Sequence, residues 1–395
     1  MPGFEWIGEE ERKAVNEVFD NGAVLFRHGF ANMRKGSYKV KEFEEAFSKY
    51  LGVRYAHAVT SGTAALKVGL KALGIKEGDE VITQSHTFIA TVEAIIECGA
   101  TPIITEIDWS LNMDPQDLEK KITSKTKAII SVHMFGAAAE MDRIMAIANA
   151  HAIPVLEDTA QGLGGFYRGK PLGTIGRIGT FSFDHGKIMT TGEGGMLVTN
   201  DESIYLRAKA YSDHGHEDNP AFPRGEDTRS FPGFNYRMME LQGAIGLVQL
   251  RKLEKSVNMQ KQNKDNLKKT LMSLSGFSNI KFRHLTDSTG ETGDALIFFM
   301  ENADQAKVFS CQLQQQGITF KNLPGALNWH FAGTWDHIFS KHPMYQQKNL
   351  EKYIWPQSSC LLRRAIALPI YLNMSKGAIS VLIDKLHDSL CAIIA

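Results

Sequence analysis

Cysteine is scarce, and the four present (Cys98, Cys311, Cys360 and Cys391) are scattered along 395 residues. Such spacing offers neither a disulfide framework nor a metal-ligand pattern, so a reducing compartment and no metal site are expected. A surplus of charge is also missing, with 44 Lys and Arg against 44 Asp and Glu. Nucleic-acid binders and membrane-surface proteins usually carry a basic excess, so the balance argues against both. No apolar run approaches the roughly 20 residues of a membrane span. The opening stretch, MPGFEWIGEEERKAV, is acidic rather than basic-then-apolar, which is not the pattern of a secretory signal. Repeats and low-complexity tracts are absent. No Gly-x-Gly-x-x-Gly follows the first expected strand, so a nicotinamide dehydrogenase fails its own test. These absences leave a cytoplasmic globular enzyme, long enough for two domains.

What is present is alternation. Tyr55 to Val59, Glu80 to Thr83, Thr101 to Ile107, Lys127 to Val132 and Pro154 to Asp158 read as strands. Between them Phe88 to Cys98, Pro115 to Ile122 and Met141 to His151 carry helical spacing. Strands alternating with helices predict an α/β fold with a mostly parallel sheet covered on both faces, binding its ligand at the C-terminal strand ends. Residues 8–20 and Val40 to Tyr50 are expected as earlier helices, with the Gly-rich, basic and aromatic stretch Gly22 to Gly36 between them packing over a partner subunit. Later, Glu240 to Lys255 reads as one helix and the charge-rich Lys252 to Leu274 as another, linking to a smaller α+β domain. The expected division is residues 1–251 and 252–395.

Chemistry concentrates between Gly179 and Gly195, in GTFSFDHGKIMTTGEGG. A short strand ends at Phe183, and Lys187 follows ahead of a Gly-rich turn. A lysine held between two apolar segments is partly desolvated, which favours the free amine that Schiff-base chemistry needs. Asp158 ends one expected strand and Thr60 follows another. Thr60-Ser61-Gly62-Thr63 then opens a helix, an arrangement that serves either as an anion site or as a plain N-cap. Read singly, Phe88 suits core packing, Gln161 a surface position and Asn235 a turn.

Taken in order, six motifs change that. They are Thr60 to Leu66, Ser85 to Thr91, Val132 to Gly136, Glu157 to Gln161, Ser182 to Gly195, and Asn235 to Met238 with Glu240-Leu241-Gln242. Together they resemble the DegT-type sugar aminotransferases, pyridoxal 5'-phosphate (PLP) enzymes of the aspartate-aminotransferase (type I) fold. The resemblance implies a large PLP-binding domain with a mostly parallel seven-stranded sheet between helices, and a smaller α+β C-terminal domain. It makes Lys187 the Schiff-base lysine and Asp158 the partner of the protonated pyridine nitrogen. Gln161 would meet the ring hydroxyl, Phe88 would stack on the ring, and Gly62, Thr63 and Ser182 would bind the phosphate. Asn235 would reach the neighbouring subunit's phosphate site in a homodimer with a shared active site. L-Glutamate is the implied amino donor and a carbonyl sugar the acceptor.

Most of the family aminate 3- or 4-keto sugars on nucleoside diphosphates. This chain departs from their usual Ser-Phe-His-x-x-Lys, with Asp184-His185-Gly186 before Lys187, and Ala326 to Phe331 (ALNWHF) is distinctive. With Arg27-His28-Gly29-Phe30, these features are similar to transaminases acting on the C8 aldehyde of 3-deoxy-8-oxo-manno-octulosonate, a lipopolysaccharide sugar. A free acid of that kind needs a carboxylate partner, for which Arg27, His28, His185, His214 and His330 are candidates. A PLP-dependent sugar dehydratase, in which relatives replace the lysine by histidine, and a non-catalytic PLP sensor are the other implied classes.

Overall fold

The computed structural model describes residues 3–219, 221–274, 280–318, 323–340, 345 and 354–394. Two amphipathic helices come first, α1 (Glu9–Asp20) and α2 (Lys39–Leu51). They are followed by β1 (Tyr55–Val59), α3 (Gly62–Ala72), β2 (Glu80–Gln84), α4 (Ile89–Glu97), β3 (Thr101–Thr105), α5 (Pro115–Lys121), β4 (Thr126–Val132), α6 (Met141–Ala150) and β5 (Val155–Asp158). A small hairpin, β6 (Phe166–Tyr167) with β7 (Lys170–Pro171), precedes β8 (Ile178–Ser182) and β9 (Gly195–Thr199). The seven long strands form one sheet in the order β1-β9-β8-β5-β4-β2-β3. Only β9 runs antiparallel, pairing in that sense with both β1 and β8. The strands are buried almost throughout, as expected where helices cover both faces of a parallel sheet.

That topology gathers one end of the sheet. Because six strands are parallel, the residues just past β1, β2, β4, β5 and β8 lie along the same edge. Antiparallel β9 begins there too, with Gly195 paired to Val59 on one side and to Ser182 on the other.

After α7 (Glu202–Tyr211), residues 217–233 hold one short turn at Arg224–Glu226, with Pro220 outside the described residues. The two helices expected at 240–255 and 252–274 are a single one, α8 (Glu240–Met272). Its first half crosses α2 so closely that a Cβ on Gly246 would sit 2.7 Å from the Phe43 ring. Near its end, Leu267 and Leu271 enter a second core. There a three-stranded sheet, β10 (Lys281–Phe282), β11 (Ala295–Phe299) and β12 (Ala365–Pro369), packs with α9 (Ala303–Gln315) and the C-terminal helix Lys376–Ile394. Along β11 the side chains divide by period two. Leu296 and Phe298 face this core, and Ala295, Ile297 and Phe299 join the core of the large sheet. We place the division between the two regions within α8.

A buried ion pair ties the segment after α1 to this frame. The Arg27 guanidinium bonds Glu44 at 2.8 Å and the Ala58 carbonyl at 2.9 Å. Glu44 also accepts the Ala58 N–H, and His57 stands 3.3 Å from the carboxylate while bonding Ser212 at 2.7 Å. Burial alone would raise the Glu44 pKa, but Arg27, His57 and the Ala58 amide outweigh it and hold the group at about 2. Replacing Glu44 by Gln leaves Arg27 buried without its counter-charge, so a loss of about 3 kcal/mol is expected in urea unfolding at neutral pH. Folded Glu44 titrates below its ordinary 4.5, so its contribution is present above about pH 4.5 and fades as pH falls towards 2. Glu44→Gln should therefore narrow its deficit against wild type over that window; a constant deficit would contradict the assignment.

Candidate active site

Asp158, the last residue of β5, is 4% exposed. One carboxylate oxygen accepts the Thr91 hydroxyl at 2.8 Å, and the other accepts the Ala160 N–H at 3.1 Å. Thr91 is itself bonded to Thr87 at 2.7 Å, one turn earlier around the start of α4. Burial pushes the Asp158 pKa up, and these two hydrogen bonds with the fields of Lys187 and His133 pull back against it. A buried carboxylate with only neutral donors on its oxygens is suited to receive a cation.

Lys187 lies in the loop between β8 and β9, half-buried. The loop is shaped by its backbone. Phe183 pairs with Gly194 and Thr191, Lys187 N–H donates to Asp184 at 3.0 Å, and the Lys187 carbonyl accepts Gly3 N–H at 2.8 Å. Beneath it, Phe181 and Phe183 are fully buried against Phe43 and Phe47, which fixes where β8 ends. Lys187 is close enough for its charge to act on both Asp158 and His330.

The start of α3 offers a candidate anion cradle. Ser61 is the N-cap, its hydroxyl accepting Ala64 N–H at 3.1 Å, and the first-turn amides of Gly62 and Thr63 have no partner within the helix by its geometry. Gly62 faces Ser182 from the end of β8, and a Cβ on Gly62 would lie 2.7 Å from the Ser182 Cβ. Glycine is what lets the helix start approach that hydroxyl. Gln161 is buried and accepts the Phe135 N–H through Oε1 at 2.8 Å, which leaves its Nε2 as the donor end. Phe88 is the N-cap residue of α4, 40% exposed. Its ring stacks on Trp329 at 5.9 Å and 4°, and lies 5.7 Å from His330.

These residues fit PLP. The cradle suits its phosphate, Asp158 a pyridinium, Gln161 a ring oxygen and Phe88 an aromatic face. The charged sugar contacts expected from the sequence are placed less uniformly. Arg27 is engaged by Glu44, and His28 faces Asp213 at 3.3 Å. Both line a cavity of about 550 Å³ with Tyr205 and Lys209, to which Lys187 does not contribute. His214 is exposed, with a left-handed backbone (φ 56°). His185 is exposed and stacks on Phe4 at 5.1 Å. His330 bonds the Ala326 carbonyl at 3.2 Å, and burial lowers its pKa to about 4. Asn235 is exposed on a segment that runs beside the end of β1, where Thr60 N–H donates to Tyr236. Neither Thr91, which bonds Asp158, nor Trp329, which stacks on Phe88, received an individual role from the sequence, although both lie in stretches it singled out. The i, i+4 spacing of Thr87 and Thr91 around Phe88 was the available signal for the first.

A match to the DegT/DnrJ/EryC1/StrS aminotransferase family spans residues 6–387. The chain belongs to this family. It is 34% identical to the spore coat polysaccharide biosynthesis protein SpsC of Bacillus subtilis, over 97% of this chain and 95% of that one. It is 40% identical to the GDP-perosamine synthase of Escherichia coli O157:H7, over 67% of this chain and 69% of that one. The aminotransferase structure from Psychrobacter cryohalolentis superposes with a TM-score of 0.84 at 26% identity, covering 98% of each chain. The protein is therefore a PLP-dependent sugar aminotransferase of the type I fold. Among the described residues no helix is long and apolar enough to cross a membrane, and no cluster of three or more His, Cys, Asp or Glu is set to hold a metal ion.

Gly62→Val tests the cradle. Its side chain must displace Ser182 or the helix start, so the PLP dissociation constant should rise by about tenfold or more, while the apoprotein still unfolds cooperatively at a somewhat lower midpoint. Unaltered PLP affinity in a direct titration would remove Gly62 from the phosphate site.

Proposed function

We propose that this aminotransferase moves the amino group of L-glutamate to a carbonyl sugar. Glutamate leaves as 2-oxoglutarate, and the sugar's carbonyl oxygen is replaced by the amine. The observation that carries the reading is the convergence of Lys187, Asp158 and the Gly62–Ser182 cradle on one edge of the sheet.

When bound, PLP supplies an electron sink for the pair released at the amino-bearing carbon. Asp158 would keep the ring nitrogen positive, its buried carboxylate accepting from the Thr91 hydroxyl and the Ala160 N–H, which orient it. Gln161 would donate to the ring oxygen, and Phe88 would cover a ring face. The first turn of α3 and Ser182 would hold the phosphate. The Lys187 amine takes the proton from the donor's α-carbon and redelivers it, and in the second half-reaction it serves the acceptor carbon in reverse. Asn235 completes the phosphate site of a second subunit in a homodimer.

For the acceptor, the comparisons fit a keto sugar on a nucleoside diphosphate better than the free octulosonate, because the relatives include GDP-perosamine synthases. A second reading, the C8 aldehyde of 3-deoxy-8-oxo-manno-octulosonate, is supported by what lies near Lys187. His330, which feels the Lys187 charge, is neutral and packs beside Phe88, itself stacked on Trp329, and the carboxylate of that acceptor lies at the opposite end of an eight-carbon chain from the reacting aldehyde.

Wild type incubated with glutamate alone should release 2-oxoglutarate in proportion to enzyme, and Lys187→Ala should slow turnover by at least about 10³-fold. Presenting a 4-keto nucleotide sugar and the C8 aldehyde side by side then assigns the acceptor. Substantial turnover by Lys187→Ala, or no 2-oxoglutarate from wild type, would refute the reading.

A further inference from the structure

The segment from Ala326 to Trp335 is anchored on both sides of Trp329. Phe331 and Trp335 are buried to 1% and 0% exposure, whereas Trp329, two residues before Phe331, is 60% exposed. Looseness does not explain this. Thr87 N–H donates to the His330 carbonyl at 3.1 Å, and Ala332 N–H donates to the Ser85 carbonyl at 2.9 Å. The indole N–H of Trp335 donates to the Asn328 carbonyl at 2.9 Å, and Phe331 bridges His86 beyond the end of β2. Exposing a large indole on a pinned turn forfeits the hydrophobic stabilisation that its burial would bring.

What the turn does is present a surface at the start of α4, the helix whose Thr91 bonds Asp158. One face of Trp329 lies flat on Phe88, and His330 stands next to both. His330 is close enough to Lys187 to feel its charge. Its Nδ1 faces the Ala326 carbonyl at 3.2 Å. A neutral imidazole must donate to a carbonyl, so Nδ1 carries the proton and Nε2 is left as an acceptor. An exposed indole beside a neutral hydrogen-bond acceptor matches the chemistry of a sugar, whose C–H groups pack on an aromatic face while its hydroxyls donate.

We propose that Trp329 and His330 form the acceptor-binding wall of this aminotransferase, the indole packing against the carbon skeleton of a polyhydroxylated acceptor and His330 Nε2 receiving one of its hydroxyls. This rests on the carbonyl-sugar reading above and adds the residues that select the acceptor. The wall recognises an uncharged, hydroxyl-rich reacting end, so the acceptor's anionic group is bound elsewhere.

The test separates the two half-reactions. In Trp329→Ala, the KM for the turned-over acceptor should rise by about tenfold, in Trp329→Phe by less, and the single-turnover rate with glutamate alone should stay within about twofold of wild type. His330→Gln, which keeps an acceptor oxygen, should retain acceptor binding better than His330→Leu. An unchanged acceptor KM in Trp329→Ala overturns the proposal. So does an equal fall in both half-reactions, or a change confined to oligomeric state, which would make Trp329 a subunit contact. Failure of wild type to convert glutamate is read independently of these variants; it would sink the aminotransferase reading, and the wall with it.

Discussion

The carboxylate of Asp158 sets the terms for the site. It sits at the end of a central strand, where taking an ion out of water costs several kcal/mol unless a counter-charge and hydrogen bonds replace the lost solvent. The chain provides two neutral donors, Thr91 and Ala160, and the nearby charge of Lys187. This is an incomplete neutralisation, which on the proposed reading a protonated pyridine ring would complete. The same carboxylate would then make the ring a strong electron sink. Binding and chemistry therefore draw on one electrostatic arrangement, and the positions of α4, β5 and the lysine loop matter because they hold its parts together.

The remaining contacts divide between cofactor geometry and scaffold. Gly62 against Ser182 is a matter of distance: the helix start must come close to the strand end for both to reach one phosphate. The Arg27–Glu44–His57 group is scaffold, a buried ion pair that joins the segment after α1 to β1 and, through Ser212, to the end of α7. Arginine near a suspected anion site invites a ligand role, but here the counter-charge is Glu44, seventeen positions along the chain in α2, next to Phe43, which packs on α8.

The parallel strands were legible because their buried faces leave dense β-branched and apolar runs, and the helices between them because of their 3.6-residue spacing. The direction of β9 was not, since nothing local distinguishes a strand that returns antiparallel from one that crosses over. The long helix α8 reads as two because its buried side changes partner, from α2 to the small sheet, and the apolar stripe shifts with it. In LLRRAIALP the junction between the helix Pro356–Arg364 and β12 has no turn signal, so that strand went unread. Of the proposed site, Lys187, Asp158, Gly62 and Ser182 were singled out by their positions at or after strand ends and by resemblance. Thr91, Glu44 and the Phe88–Trp329 stack depend on contacts between segments remote in sequence or on faces that local spacing does not mark.

The most direct measurement is the ¹⁵N chemical shift of the pyridine nitrogen in ¹⁵N-labelled PLP bound to wild type and to Asp158→Ala. The account predicts a protonated nitrogen in wild type at neutral pH and an unprotonated one in the variant, because the buried carboxylate is what keeps the ring charged. The same protonation state in both proteins would contradict it and leave Asp158 with a structural part only.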